Sequence, residues 1–362
     1  MAHSLDELRA YAISHSLFTP ATLNSAVDRI GFIQADPIRS PSTAQDLILR
    51  HRVQGYRAGD LHRQYPALDV EEGYLYAYGF LRRDLWQLRR HSTDPATLPE
   101  FDQKVLAAVQ SAGPTHPKSL EAEFGKERTK NYWGGHSKAT TRALERLHWH
   151  GLLRVSHRET GIRVYAPAPK PLADRGTPAE RLRKLVLAEA TVLAPVSKST
   201  LQWLASGLRR ISFPGEDHRA AIADLLRRGE LESGVIDGIT YLWPACSAKS
   251  EEQPRVVRFL APFDPIVWDR HRFEHLWGWE YRFEAYTPAA KRVRGYYALP
   301  LLWREHVIGW ANARVAEGSL DVEVGFVENR PKEKAFQQEL DAEVACLEAF
   351  LALDKKTKAA TG

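Results

Sequence analysis

Apolar positions recur at helical spacing from the first residues onward. Leu5, Leu8, Ala12 and Ile13 share one face, with Ser4 placed to cap the helix and Asp6 and Glu7 in its first turn. A second helix is expected over residues 20–30, with Pro20 at its start and Gly31 as its stop. Phe32-Ile33-Gln34-Ala35-Asp36-Pro37 reads as a short extended segment. Helices are expected after Pro41-Ser42, at 69–81 and at 83–90, before a linker at 91–95.

The next stretch has a clearer grammar. Phe101, Val105, Leu106 and Val109 form one helix face, and Ser119, Leu120 and Phe124 a second. Ser137 is expected to cap a third helix that runs through Leu144 and Leu147 to Gly151. Strands 152–157 and 162–165 then flank a turn at Glu159-Thr160-Gly161. Three helices and a two-stranded wing make the winged-helix pattern. It repeats with helices at 181–188, 199–204 and 218–228 and a hairpin turning at Asp237-Gly238. After a polar joint at 247–254, strands are expected at 256–260, 281–286, 294–302, 306–314 and 320–326, then a helix at 332–353 and a frayed tail at 355–358. The expected class is α+β: tandem winged-helix domains followed by a C-terminal β-barrel-like domain. The boundaries are 1–98 (a modified first winged-helix copy), 99–171, 172–246 and 254–353.

Composition narrows the setting. The chain has 362 residues, 50 Lys+Arg against 45 Asp+Glu, and no apolar run near the ~20 residues a spanning helix needs. Its start lacks a basic-then-apolar export pattern. Cys246 and Cys346 are the only cysteines, too few for a Cys-based metal site. A cytoplasmic, mildly basic protein with no membrane partner, metal or cofactor is expected, nucleoid-associated when bound to DNA and monomeric.

The positive charge is not evenly spread. Between residues 133 and 166, Lys138, Arg142, Arg146, Arg154, Arg158 and Arg163 face only Glu145 and Glu159, a balance of +4 against +5 for the whole chain. The third helix and wing of such a unit meet grooves and phosphates in many DNA-binding proteins, so this surface is a candidate duplex contact. The alternative is a solvated face on a protein-binding unit. Lys291-Arg292 beside Tyr296 is a second backbone-contact candidate. Arg270 and Arg272 either lie on phosphates or close a turn with an ion pair. Arg50-His51-Arg52 either braces the first unit against DNA or forms a surface helix face. Asp264 with Asp269 is too weak a donor set for a metal.

Gln34-x-Asp36 is the sharpest feature. In extended chain the two side chains point to one face about 6.6 Å apart, and Pro37 disfavours a helical Asp36. An amide and a carboxylate so placed either hold and polarise a water, as hydrolysis of a glycosidic bond requires, or satisfy backbone donors in a turn.

Gly31-Phe32-Ile33-Gln34-Ala35-Asp36-Pro37-Ile38 followed by two basic winged-helix units resembles the AlkZ/YcaQ family of winged-helix DNA glycosylases. So do the run from Leu260-Ala261-Pro262-Phe263-Asp264-Pro265 to Leu276-Trp277-Gly278 and the stretch from Glu284-Ala285-Tyr286-Thr287-Pro288 to Leu299-Pro300. The resemblance covers nearly the whole chain. It implies double-stranded, damaged DNA as partner and hydrolysis of the N-glycosidic bond of N7-alkylated purines, interstrand crosslinks included. Asp36 would be base and charge stabiliser, and Gln34 would orient the water, matching the Gln-x-Asp branch. Two segments depart from the pattern. Tyr74-Leu75-Tyr76-Ala77-Tyr78-Gly79 replaces a Trp-x-His-Glu segment, and Gly309-Trp310-Ala311-Asn312 replaces Gly-Arg-x-Asp. Trp310 either stacks on a base or fills the barrel core, with the core preferred. No lysine neighbours the pair in sequence, so a monofunctional glycosylase is expected rather than a Schiff-base lyase. The competing readings are a winged-helix regulator without enzymatic activity and a protein that only binds damage.

Overall fold

A computed structural model describes residues 4–90, 93–125, 128–130, 136–172, 174–245 and 256–353. The first unit contains α1 (Leu5–Ser16), α2 (Leu23–Ile30), β1 (Phe32–Gln34), α3 (Ala44–Leu49), α4 (Asp60–Gln64), β2 (Val70–Tyr74), β3 (Tyr78–Arg82) and α5 (Arg83–Arg89). Ser4 caps α1 by accepting the Glu7 N–H at 3.2 Å. α2 begins later than expected, because Thr22 takes the cap while Ala21 bridges to Val53.

The helix expected at 69–81 is a hairpin. Val70, Tyr74, Tyr78 and Phe80 suit a pleated surface, and Gly73 and Gly79 weaken a helix. The strands pair in the order β1-β3-β2, all antiparallel, with Gln34 opposite Gly79. Only glycine fits there: a Cβ on Gly79 would stand 2.2 Å from the Ile33 carbonyl oxygen and 2.7 Å from the Phe32 ring.

The second unit comprises α6 (Glu100–Ala112), α7 (Pro117–Phe124), β4 (Arg128–Lys130), β5 (His136–Lys138), α8 (Ala139–Trp149), β6 (Leu153–Glu159) and β7 (Ile162–Pro167). The N-cap of α8 is Lys138, because Ser137 is drawn into the β4–β5 ladder opposite Thr129. The third contains α9 (Pro178–Val192), β8 (Val196–Ser197), α10 (Lys198–Ser212), α11 (His218–Arg227), β9 (Leu231–Ile236) and β10 (Ile239–Pro244). A capping box between Thr177 and Glu180 starts α9 earlier than its apolar pattern indicated. β8 adds a third strand, in the order β8-β10-β9. The joint at 247–254 and the tail at 355–358 lie outside the described residues.

The last unit holds β11 (Val257–Phe259), α12 (Pro265–Trp268), α13 (Arg270–Trp277), β12 (Leu299–Trp303), β13 (His306–Ala316), β14 (Ser319–Phe326) and α14 (Lys334–Phe350). Its four strands form one antiparallel sheet in sequence order, a curled half-barrel in place of the expected barrel. The strand expected at 281–286 is missing for a specific reason. The Tyr281 hydroxyl donates to the Ala298 carbonyl at 2.7 Å, and the Glu284 carboxylate accepts the N–H groups of Val293, Arg294 and Gly295. One side chain thus satisfies the loop amides that a strand ladder would have paired.

Apolar packing ignores the unit boundaries. One buried cluster includes Ile33 and Leu47, Val105 and Leu144, and Phe259, Leu301 and Phe336. Polar ties reinforce it. Arg52, fully buried, makes two hydrogen bonds to Asp264 at 2.8 and 2.9 Å and donates to the carbonyls of Ser16 and Ile48. This residue of the Arg50-His51-Arg52 run therefore faces the interior and not a surface. Among the described residues no helix is long and apolar enough to cross a membrane.

Candidate active site

Gln34 ends β1, and the extended path continues one residue further, since the Ala35 N–H donates to the Tyr78 carbonyl at 2.9 Å. Asp36 follows, half-buried. Its backbone N–H donates to Gln45 Oε1 at 3.3 Å, and its Oδ1 accepts the Ile38 N–H at 2.9 Å. One carboxylate oxygen therefore closes a local turn. Burial raises the Asp36 pKa above the ordinary carboxylate value, partly offset by the Ile38 bond. Gln34 Oε1 is buried with no hydrogen-bond partner in the protein, an arrangement that costs stability and recurs at functional sites.

Two supporting side chains carry no motif. Gln45 comes from α3, every residue of which is buried, and its Nε2 lies 3.4 Å from His62 Nε2. His62 packs edge-on against Phe80, 5.5 Å between centroids. Burial and then the Arg158 charge hold its pKa below the ordinary value, with Glu72 pulling the other way. The only sequence signal for this shell was a Gln-Asp pair inside an otherwise apolar short helix.

The basic surface is less free than its sequence suggests. Five of the six cations between 133 and 166 meet acids from other elements: Lys138 with Glu121, Arg146 with Asp102, Arg154 with Glu71, and both Arg158 and Arg163 with Glu72. Glu71 and Glu72, on β2, are each 1 % exposed. Burial pushes the Glu72 pKa up, but the Arg158 hydrogen bond and charge, followed by Arg163, hold it below the ordinary value. The β6–β7 hairpin is therefore clamped to the first unit. Arg142 is half-buried on α8.

Arg270 and Arg272 face inward. Arg270 donates to the carbonyls of Val267 and Pro262 and lies over the Tyr281 ring, 4.6 Å from its centroid. Arg272 is 1 % exposed and donates to the carbonyls of Leu193, Pro195, Pro265 and Ile266. Neither presents its guanidinium to a duplex, because both guanidiniums are taken up by backbone acceptors. Asp264 pairs with Arg52, and Asp269 caps α13 and accepts the Thr200 hydroxyl at 2.7 Å.

Lys291 and Arg292 lie on the loop that Glu284 anchors. Lys291 is exposed, and Arg292 spreads over the Tyr296 ring at 5.0 Å while donating to the Thr287 carbonyl. Exposed Tyr286 and Val293 flank them. Asn312 donates to the Arg294 carbonyl at 2.7 Å and so pins this loop to β13. A Cβ on Gly295, at φ +129°, would stand 2.1 Å from Asn312 Oδ1. Trp310 is half-buried and packs against an apolar cluster and under Arg294. The two departures at 309–312 thus have structural work in this chain.

The family described as DNA glycosylase AlkZ-like matches residues 27–350 of this chain. Among solved structures, the chain is similar to the Streptomyces sahachiroi DNA glycosylase AlkZ, at 14 % identity over 97 % of each chain and a TM-score of 0.61.

Proposed function

This chain belongs to the AlkZ-like DNA glycosylase family, and on that premise we propose that it excises alkylated purines linked through N7, interstrand crosslinks included, by water activated between Asp36 and Gln34. The observation that carries this reading is Gln34-x-Asp36 at the end of β1, with a half-buried carboxylate beside an unpartnered amide oxygen. An N7-alkylated purine is cationic, so the C1′–N bond breaks with its electron pair passing to the base and no acid is needed. Water oxygen bonds to C1′, its proton passes to Asp36, and the carboxylate meanwhile stabilises positive charge on the sugar.

The four units 1–98, 99–171, 172–246 and 254–353 supply the scaffold, with the second and third as winged helices. Double-stranded damaged DNA is the partner and the protein acts as a monomer. Lys138, Arg142, Arg146 and the loop cations Lys291 and Arg292 contact the backbone. Arg154, Arg158 and Arg163 serve first as the clamp on β2.

The test is single-turnover excision from a duplex carrying one N7-methylguanine, with abasic sites read as breaks after alkali. Base release supports the reading, and tight binding without release overturns it for a damage-binding one. A crosslinked duplex follows. The rate should fall as pH drops through a midpoint above the ordinary Asp value of about 3.9, because the base must be ionised and burial raises its pKa. Replacing Lys291 and Arg292 together by Ala should reduce the slope of log affinity against log salt by about 1.8, the value for two lost phosphate contacts. Arg158→Ala should leave that slope nearly unchanged and lower stability instead. Filter binding across a salt series checks both.

A further inference from the structure

The loop from Glu284 to Tyr296 is firmly held, and yet it turns apolar side chains to solvent. At its neck the Glu284 carboxylate accepts the N–H groups of Val293, Arg294 and Gly295. Inside it the Lys291 N–H donates to the Pro288 carbonyl and Arg292 Nε to the Thr287 carbonyl, each at 2.8 Å. The Arg294 guanidinium lies over the rings of Trp279 and Trp310, 4.9 and 5.5 Å from their centroids, and its carbonyl is held by Asn312. Tyr286 and Val293 sit on the two arms of this clamped loop. At 82 % and 76 % they are the most exposed large hydrophobic side chains among the described residues. A braced loop that displays apolar side chains is shaped in advance for a partner that covers them.

Charge points to that partner. No acid occurs between residues 285 and 304, and the carboxylate of Glu284 is turned inward onto backbone amides. Lys291 is exposed, and neither it nor Arg292 pairs with an acid among the described residues. Two apolar side chains bordered by two cations match a duplex, in which apolar base faces lie between rows of phosphates. We propose that this loop is a DNA wedge: Tyr286 and Val293 enter an opened base step while Lys291 and Arg292 hold the phosphates beside it. The proposal rests on the reading of double-stranded DNA as partner. Opening a step costs least where a base is damaged or missing, so the wedge favours weakened steps over intact duplex.

The test separates insertion from charge. Two duplexes of one sequence are titrated across a salt series, one intact and one carrying a tetrahydrofuran abasic analogue. The parent should bind the second more tightly. The Tyr286→Ala, Val293→Ser double variant should bind the abasic duplex about tenfold more weakly and lose the preference, because base stacking on the ring has gone. Its slope of log affinity against log salt should stay parental, since no cation is removed. Tyr286→Phe should behave as the parent, because the ring does the stacking. Both side chains are exposed, so melting temperatures should not change. Parental affinity of the double variant for both duplexes overturns the proposal, and so does a loss matched by a fall in melting temperature. Self-association or binding to phosphatidylserine vesicles that the double variant alone loses, with duplex affinity unchanged, overturns it in favour of a different partner. If the parent binds neither duplex, the reading of DNA as partner falls with it. If the Lys291 and Arg292 replacement lowers the salt slope while the double variant binds as the parent does, only the wedge is misassigned.

Discussion

Asp36→Asn is expected to lower single-turnover excision of N7-methylguanine by a factor of about 10² to 10⁴, the range in which a positioned base and a preorganised charge act. The substitution is close to isosteric, and an amide oxygen still accepts the Ile38 N–H that the carboxylate now holds. The local turn should therefore persist. On the proposed mechanism two things disappear: the site that takes the water's proton, and the negative charge that the developing cation on the sugar meets. Duplex affinity should change by less than about threefold, since phosphate contacts made elsewhere dominate it. Folding stability near neutral pH should hold or rise. A carboxyl whose pKa is raised in the fold opposes folding above its unfolded pKa, and the asparagine removes that opposition. Quenched-time-point excision with a parallel binding titration decides the matter; a near-parental rate would remove Asp36 from the mechanism.

The second large effect concerns stability. Asp264→Ala should cost about 3–5 kcal/mol, because it strands the Arg52 guanidinium in the interior without its counter-charge. Both side chains of this pair are 0 % exposed. The arginine's remaining partners are the Ser16 hydroxyl and backbone carbonyls, which leave the positive charge uncompensated. Asp264 also accepts the Ile266 N–H at the start of α12, so the variant loses a helix cap as well. The companion Arg52→Met, Asp264→Leu double variant should recover most of the loss, since apolar replacement of a whole buried pair is often neutral or favourable. Urea unfolding of the parent and the two variants measures this. Equal midpoints for the parent and Asp264→Ala would mean that the pair contributes nothing to the fold.

Much of the architecture is legible from spacing alone, and the exceptions share one cause. α1, α6, α11 and the hairpins of the second and third units follow from local periodicity, caps and Gly-containing turns, all of which involve neighbours in sequence. The 69–81 helix fails because Val70, Phe80 and their neighbours satisfy helical and strand periods equally well over so short a run, and β1 decides between them by pairing with residues far along the chain, Gln34 with Gly79 and Phe32 with Leu81. The strand at 281–286 fails because Glu284 captures amides nine to eleven residues downstream, a contact no window reveals. The proposed pair is visible as Gln34-x-Asp36, whereas Gln45 and His62 are not, since they reach Asp36 through tertiary contacts. The charge count over 133–166 misleads for the same reason. The acids that hold Arg154, Arg158 and Arg163 come from β2, which a local sum omits.

The buried bridge between Arg52 and Asp264 also bears on how the protein is made. Its two ends are 212 residues apart. At ~5–20 residues per second, the ribosome delivers the second end roughly 10–40 s after the first. During that interval the unit bearing Gln34 and Asp36 exists without the counter-charge for its buried cation. A nascent chain thus carries the Gln-x-Asp motif before the buried cation of its unit has a counter-charge. The tie between the first and last units forms late in synthesis, once Asp264 has left the ribosome.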